Sequence, residues 1–255
     1  MRFLENLLSR IPETGVPVHR VVMGPFWTLV ETAAGTGLAA TQLGDGPTHG
    51  RHSQQMPGAG HLTALSARTL AENALEGPSP ARSVGLAALN ALLPTPGEGC
   101  ARSDANASEW LRANARGRRI GVVGWFPFVE ALQAEGHDIE VFEKDPVTGH
   151  AMTPARAQRL GECGLLCITA ATLLNDTLDG ILDAAAPGAE KILVGPSSPL
   201  CEATLELGFA AVCGARVEKA DALVPVIQEG GCFRRIRMAA PGGALRLVTL
   251  ERGRG

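Results

Sequence analysis

At 255 residues the chain can form one large core or two modest ones, and 45% hydrophobic and 19% charged residues with a net charge of −3 describe an ordinary globular protein. With no basic excess, no Tyr and only 4% aromatics, it offers neither a phosphate-tracking stripe nor a base-stacking surface, which excludes a nucleic-acid partner. No apolar run approaches the roughly 20 residues of a membrane-spanning helix, and the amphipathic residues 1–9 carry no cleavable signal pattern, so no membrane is expected and the cytoplasm is the default location.

After an opening helix, apolar runs over 20–23, 27–32 and 38–41 predict a hairpin unit. Gly35 and Gly37 are expected to take the positive-φ positions of its 33–37 turn. Residues 44–60 form a long stretch of chain-breakers, a length that in a compact domain is usually functional or mobile. Helical periodicity follows over 62–75 and 81–93, the second with Ala and Gly between its leucines for close packing. Pro94-Thr-Pro-Gly-Glu-Gly99 interrupts the pattern, and a helix is predicted over 104–116. The domain boundary is therefore placed at 105/106, giving an α+β domain over 1–105 and a second domain over 106–255.

Beyond residue 118 the pattern becomes regular. Short apolar strands over 119–123, 139–142, 165–168, 192–194 and 210–212 alternate with helices over 127–135, 154–161, 174–186, 200–207 and 220–228. That alternation predicts an α/β fold, a parallel Rossmann-like sheet covered on both faces.

In such a sheet ligands sit beyond the carboxyl ends of the strands. Two strand-to-helix turns there carry hydroxyls: Thr169-Ala-Ala-Thr-Leu-Leu-Asn-Asp-Thr177 and Gly195-Pro-Ser-Ser-Pro199. Thr172 or Asn175 can cap the helix after the first turn, and Ser198 the helix after the second. Capping needs only one residue of this kind, whereas Thr169, Thr172, Asn175 and Thr177 crowd a single turn, so ligand contact stands beside capping as a reading. Together the turns suit a carboxylate, a phosphate or oxygen ligation of a cation. No general base lies near Ser197 or Ser198 in sequence, so neither reads as a nucleophile.

The first turn, Gly121-Val-Val-Gly-Trp-Phe-Pro127, lacks G-x-G-x-x-G spacing, and Trp125 stands where a pyrophosphate needs bare backbone, which argues against NAD. Glu143 ends the second strand about 19 residues after Gly124, a ribose-binding position in dinucleotide folds or simply a solvated charge. Thr28 and Asn90, polar residues inside apolar patterns, read as core hydrogen-bonders or as ligand contacts. The six cysteines form no C-x-x-C pair and read as small buried hydrophobes. His49-Gly-Arg-His52, with Asp45 and His61 nearby, is either a solvated loop or a pair of ligands for a transition metal such as Zn, Cu, Ni or Fe.

These second-half motifs, with Gly208 and Ala211-Val-Cys-Gly214, resemble the Putative heavy-metal chelation family. Val22-Met-Gly24, Trp27-Thr-Leu-Val30, Gly37-Leu-Ala-Ala-Thr41 and Ser83-Val-Gly-Leu-Ala-Ala-Leu-Asn90 resemble its usual N-terminal partner, so the likeness spans nearly the whole chain. The resemblance implies an enolase N-terminal-like domain packed on a Rossmann-like domain, with a site in the cleft between them. Carried over by motif, that site takes Thr169, Thr172, Asn175 and Thr177, then Gly195, Ser197 and Ser198, with Trp125 and Glu143 from the first strand ends and Thr28 or Asn90 facing them. His150 stands where the family pattern has an acidic residue. The leading expectation is a protein that binds a metal ion or a metal–small-molecule complex in that cleft. An enzyme acting on a small anionic or phosphorylated metabolite and a regulatory adaptor are the alternatives.

Overall fold

Helix α1 (Phe3–Leu8) turns Phe3, Leu4, Leu7 and Leu8 inward and leads to a three-stranded antiparallel meander, β1 (Val18–Met23), β2 (Trp27–Thr32) and β3 (Thr36–Ala40). The computed structural model describes residues 2–13, 15–43, 55–94, 96, 100–103, 106–143, 153–239 and 243–252. The β2–β3 turn is tied by Thr32, whose Oγ1 accepts from the amides of Ala34 (3.1 Å) and Gly35 (3.2 Å). Contrary to expectation, neither Gly35 nor Gly37 has a positive φ. Gly37 answers to packing instead: a Cβ there would lie 2.0 Å from the carbonyl oxygen of Ala87.

The periodic stretch 62–75 is not one helix. Ser66 accepts the Thr69 amide at 3.1 Å and starts a new helix, α2 (Ala67–Glu72), between single 3-10 turns at Leu62–Ala64 and Asn73–Leu75. Helix α3 (Pro80–Leu92) begins at the cap Ser79, with Pro80 in the first turn, where a missing N–H costs nothing. Every residue of α3 except Asn90 is buried, the pattern of a helix enclosed on all sides. It lies on β2 and β3. Strand alternation divides the meander: Val30 and Ala39 join the core around α3, while Leu29 and Leu38 join Leu223 and Ile227 on the other face.

The second sheet has seven strands, β4 (Cys100–Ser103), β5 (Ile120–Val123), β6 (Ile139–Phe142), β7 (Leu165–Thr169), β8 (Glu190–Val194), β9 (Ala211–Val217) and β10 (Leu245–Arg252), in the order β4-β10-β9-β8-β7-β5-β6. From β6 to β9 it is parallel; β10 and β4 add an antiparallel edge that the sequence reading did not foresee. Strand β9 runs to Val217, beyond the expected 212, because β10 pairs with it from Leu245 to Glu251. The connecting helices are α4 (Ala107–Asn114), α5 (Val129–Ala134), α6 (Pro154–Gln158), α7 (Leu178–Ala184), α8 (Glu202–Glu206) and α9 (Ala220–Gln228), followed by an unforeseen α10 (Phe233–Ala239). β5 is buried along its whole length, as a strand covered on both faces requires.

The two halves interlock. β4, which precedes residue 105 in the chain, is an edge strand of the large sheet. Phe3 packs edge-on against Phe209, with ring centroids 5.6 Å apart, and its amide donates to Asp179 at 3.2 Å. Helix α9 packs on β1 and β2. Among the described residues no helix is long and apolar enough to cross a membrane.

Candidate functional site

Three neighbouring strand ends approach one another closely where two of them carry glycine. Gly124, after β5, has φ +99°, and a Cβ on it would sit 2.8 Å from Cγ2 of Thr169 at the end of β7. Gly195, after β8, has φ +136° and lies against Ala170, which a Cβ would meet at 3.4 Å. Both positions need glycine for their positive-φ backbone, and Gly124 needs it also for the close approach. Trp125, 47% exposed, follows Gly124, and Glu143 ends β6 next door, half-buried. The neighbouring carboxyl ends of β6, β5, β7 and β8 carry Glu143, Trp125, Thr169 and Gly195 respectively.

The 169–177 turn is built by its own polar groups. Thr169 Oγ1 accepts from the Ala171 amide (3.3 Å), Thr172 donates to the Thr169 carbonyl (2.6 Å), and Thr177 donates to Asn175 Oδ1 (2.6 Å). Neither Thr172 nor Asn175 caps the next helix, a correction to expectation. A 3-10 turn at Ala170–Leu173 and a left-handed Asp176 (φ +59°) delay α7 to Leu178 instead of 174. A residue missed in the sequence holds this turn to the front half. Arg82 of α3 donates to the Leu173 carbonyl (2.6 Å), to Asp176 Oδ1 (2.9 Å) and to the Glu76 carbonyl. An arginine within an apolar helical run was the available signal, since a cation buried on such a face must be paired.

The second turn docks rather than opens. Ser197 Oγ accepts from the Ala40 amide at 2.9 Å, and Asn90 Nδ2 donates to the carbonyls of Ser197 and Leu38, each at 3.1 Å. Ser198 is not the cap of α8, whose N-cap position is Cys201; its amide donates to the Gly195 carbonyl at 3.0 Å. Thr28 is buried in the front sheet, 2.9 Å from Thr41 Oγ1, as a core hydrogen-bonder. His49, His52 and His150 lie outside the described residues.

Among the described residues no three His, Cys, Asp or Glu side chains group to hold a metal. Four of the cysteines are held as thiols by burial. Burial pushes the Cys163 and Cys213 thiols up to about 11 and also raises Cys167 and Cys201. Cys232 is the exception to the buried-hydrophobe reading: it is exposed, and the Arg235 and Arg234 amides lower its pKa. Iodoacetamide at mildly alkaline pH should therefore label Cys232 rapidly in the native protein, with Cys163, Cys167, Cys201 and Cys213 reacting only after denaturation. Peptide mass mapping reads this directly, and rapid native labelling of Cys167 would contradict the buried β7.

The comparisons agree with this architecture. The family model DUF364, described as Putative heavy-metal chelation, matches residues 106–240, and a second model with the same description, DUF4213, matches residues 4–93. A crystal structure of a DUF364-family protein of unknown function from Desulfitobacterium hafniense is similar over 97% of both chains, with a TM-score of 0.80 and 26% identity. Another DUF364-family structure, from Pyrococcus horikoshii, shares the fold over 97% of both chains, with a TM-score of 0.73 and 18% identity. An uncharacterized protein of Methanocaldococcus jannaschii is 40% identical over 86 residues, a match spanning 32% of this chain and 33% of that relative. On the strength of the model covering more than half its length, the chain belongs to the family described as Putative heavy-metal chelation.

Proposed function

We propose that the protein binds a metal ion together with a small oxygen-rich molecule, as a chelate, in the crevice beyond the carboxyl ends of β6, β5, β7 and β8. The observation that carries this reading is the contact of the three turns at Gly124, Thr169 and Gly195. There, bare backbone lies beside a hydroxyl, and a carboxylate ends the adjacent strand. Thr169 and the amide of Asn175 hydrogen-bond the organic part, and Glu143 gives an oxygen to the metal. A chelate suits this donor set better than a bare ion: one carboxylate and neutral oxygens leave most coordination positions to the small molecule.

The test is elemental analysis after dialysis against Ni(II), Co(II), Zn(II) or Cu(II), each with and without citrate as the probe chelator. Near-stoichiometric retention in the presence of citrate is expected, weakened at least tenfold, about 1.4 kcal/mol, in Thr169→Val, which keeps the shape and removes the hydroxyl. Retention below about a tenth of an equivalent with every metal, or equal retention in Thr169→Val, would sink the reading.

A further inference from the structure

We propose that the outer face of α10, with the tip of the β1–β2 turn beside it, is a docking surface for an acidic segment of a partner protein. Helix α10 has two unlike faces. Ile236 is buried and the Phe233 ring packs on Trp27, with centroids 5.3 Å apart, whereas Arg234, Arg235, Arg237 and Met238 are exposed. The helix contains no acidic residue, and none of its three arginine side chains forms an ion pair or hydrogen bond among the described residues. Elsewhere surface arginines are matched, as Arg112 is with Glu135 at 2.7 Å and Arg119 with Asp138 at 3.0 Å. In a chain of net charge −3, three neighbouring unmatched guanidiniums are a local excess.

Apolar side chains accompany the charge. Pro25 lies against the α9–α10 turn, where a Cβ on Gly230 would meet its Cγ at 3.2 Å. That contact sets Phe26, 53% exposed, beside the helix that carries Met238, 63% exposed. Exposed Arg, Met and Phe without Lys is the composition of protein–protein interfaces, where a planar guanidinium pairs a carboxylate through two hydrogen bonds. The surface stands on α10 and the β1–β2 turn alone and does not depend on the chelate reading.

Charge and size choose the occupant. A second copy docked across a two-fold axis would set the arginines against themselves, and like charges repel. Anionic membranes hold clusters of about four to eight basic residues, more than α10 offers. Carboxylates on a protein segment fit both the charge and the reach, since the seven residues of α10 span about 10 Å.

The probe is the peptide acetyl-Glu-Glu-Leu-Glu-Glu-Leu-amide, with its Gln-for-Glu counterpart as the uncharged control, in an NMR titration of the full chain. The Nε–H signals of Arg234, Arg235 and Arg237 and the Met238 methyl should shift saturably with the acidic peptide, and affinity should fall several-fold between about 50 and about 300 mM NaCl. The double variant Arg234→Glu/Arg237→Glu should bind at least tenfold more weakly at an unchanged melting temperature, because neither side chain has a partner to lose. Phe26→Ala should also weaken binding, which a contact made by charge alone would not show. No saturable shift on α10, equal binding of the Gln peptide, wild-type affinity in the double variant or in Phe26→Ala, or tighter binding to vesicles of phosphatidylserine and phosphatidylcholine than to the peptide would each overturn the proposal.

Discussion

Arg82→Ala is expected to lower stability by about 3 kcal/mol and to loosen the turn that carries Thr169 and Asn175. The Arg82 side chain is 4% exposed and spans the two halves from the first turn of α3. Removing it strands the buried carbonyl of Leu173, hands the more exposed Glu76 carbonyl to water, and leaves Asp176 without its cation. The ion pair is the smaller part of the loss, since Asp176 is 46% exposed and water screens it. The Leu173 carbonyl is the larger part, because an unpaired buried acceptor costs about 1–3 kcal/mol, and the lost packing of the buried Arg82 stem adds to it. Arg82→Lys should recover only a fraction: one ammonium cannot reproduce three divergent contacts made by a planar guanidinium. Asp176 sits in the left-handed region, a strain that persists only while its surroundings enforce it. Urea unfolding gives the stability, and hydrogen exchange at the Thr177 amide, which bonds the Thr172 carbonyl at 3.1 Å, reports on the turn. A loss under about 1 kcal/mol with unchanged exchange would show that the turn holds itself without the front half.

What the sequence disclosed and what it hid divide along one physical line. Strands such as β2, β5 and β7 are legible because apolar residues fill them, and the turns after β5 and β8 because glycine and proline mark them. The sense of a polar side chain within a turn is not legible, because it depends on which neighbour arrives. Ser197 and Ser198 are adjacent and chemically identical, yet the hydroxyl of one accepts from Ala40 of the front sheet and that of the other has no partner among the described residues. Thr172 and Asn175 stand where caps are common, but their hydroxyl and amide bond within the turn, and α7 starts later. Strand β10 escaped for another reason. Its alternation of Leu245, Arg246, Leu247 and Thr249 with late charges reads as surface until β9 and β4 flank it. In the front half, Ser66 was a visible N-cap inside a stretch read as one helix, a local signal overruled by periodicity.

Gly37→Ala should be at least as damaging, with an expected loss of about 3 kcal/mol or more. The added methyl would lie 2.0 Å from the Ala87 carbonyl oxygen and 2.6 Å from the Ala91 nitrogen, both backbone atoms that no rotamer change can clear. Neither element can step aside. Gly37 is paired with Val30 inside the meander, and α3 is enclosed along all of its length but Asn90. The strain must then separate β3 from α3, and the separation reaches the site because Ala87 and Ala91 lie on the same helix as Arg82 and Asn90. Asn90 would lose its bond to the Leu38 carbonyl on β3, the contact that orients its amide oxygen. Gly35→Ala is the control that separates packing from turn conformation. Its φ is not positive, and the nearest atom to a Cβ is the Ala91 carbonyl oxygen at 3.1 Å, so a shift of a few tenths of an ångström accommodates it. A turn that needed glycine for its dihedrals would suffer in both variants. Thermal unfolding that ranks Gly37→Ala far below Gly35→Ala establishes close approach as the reason for the glycine, whereas comparable losses would return the turn itself as the cause.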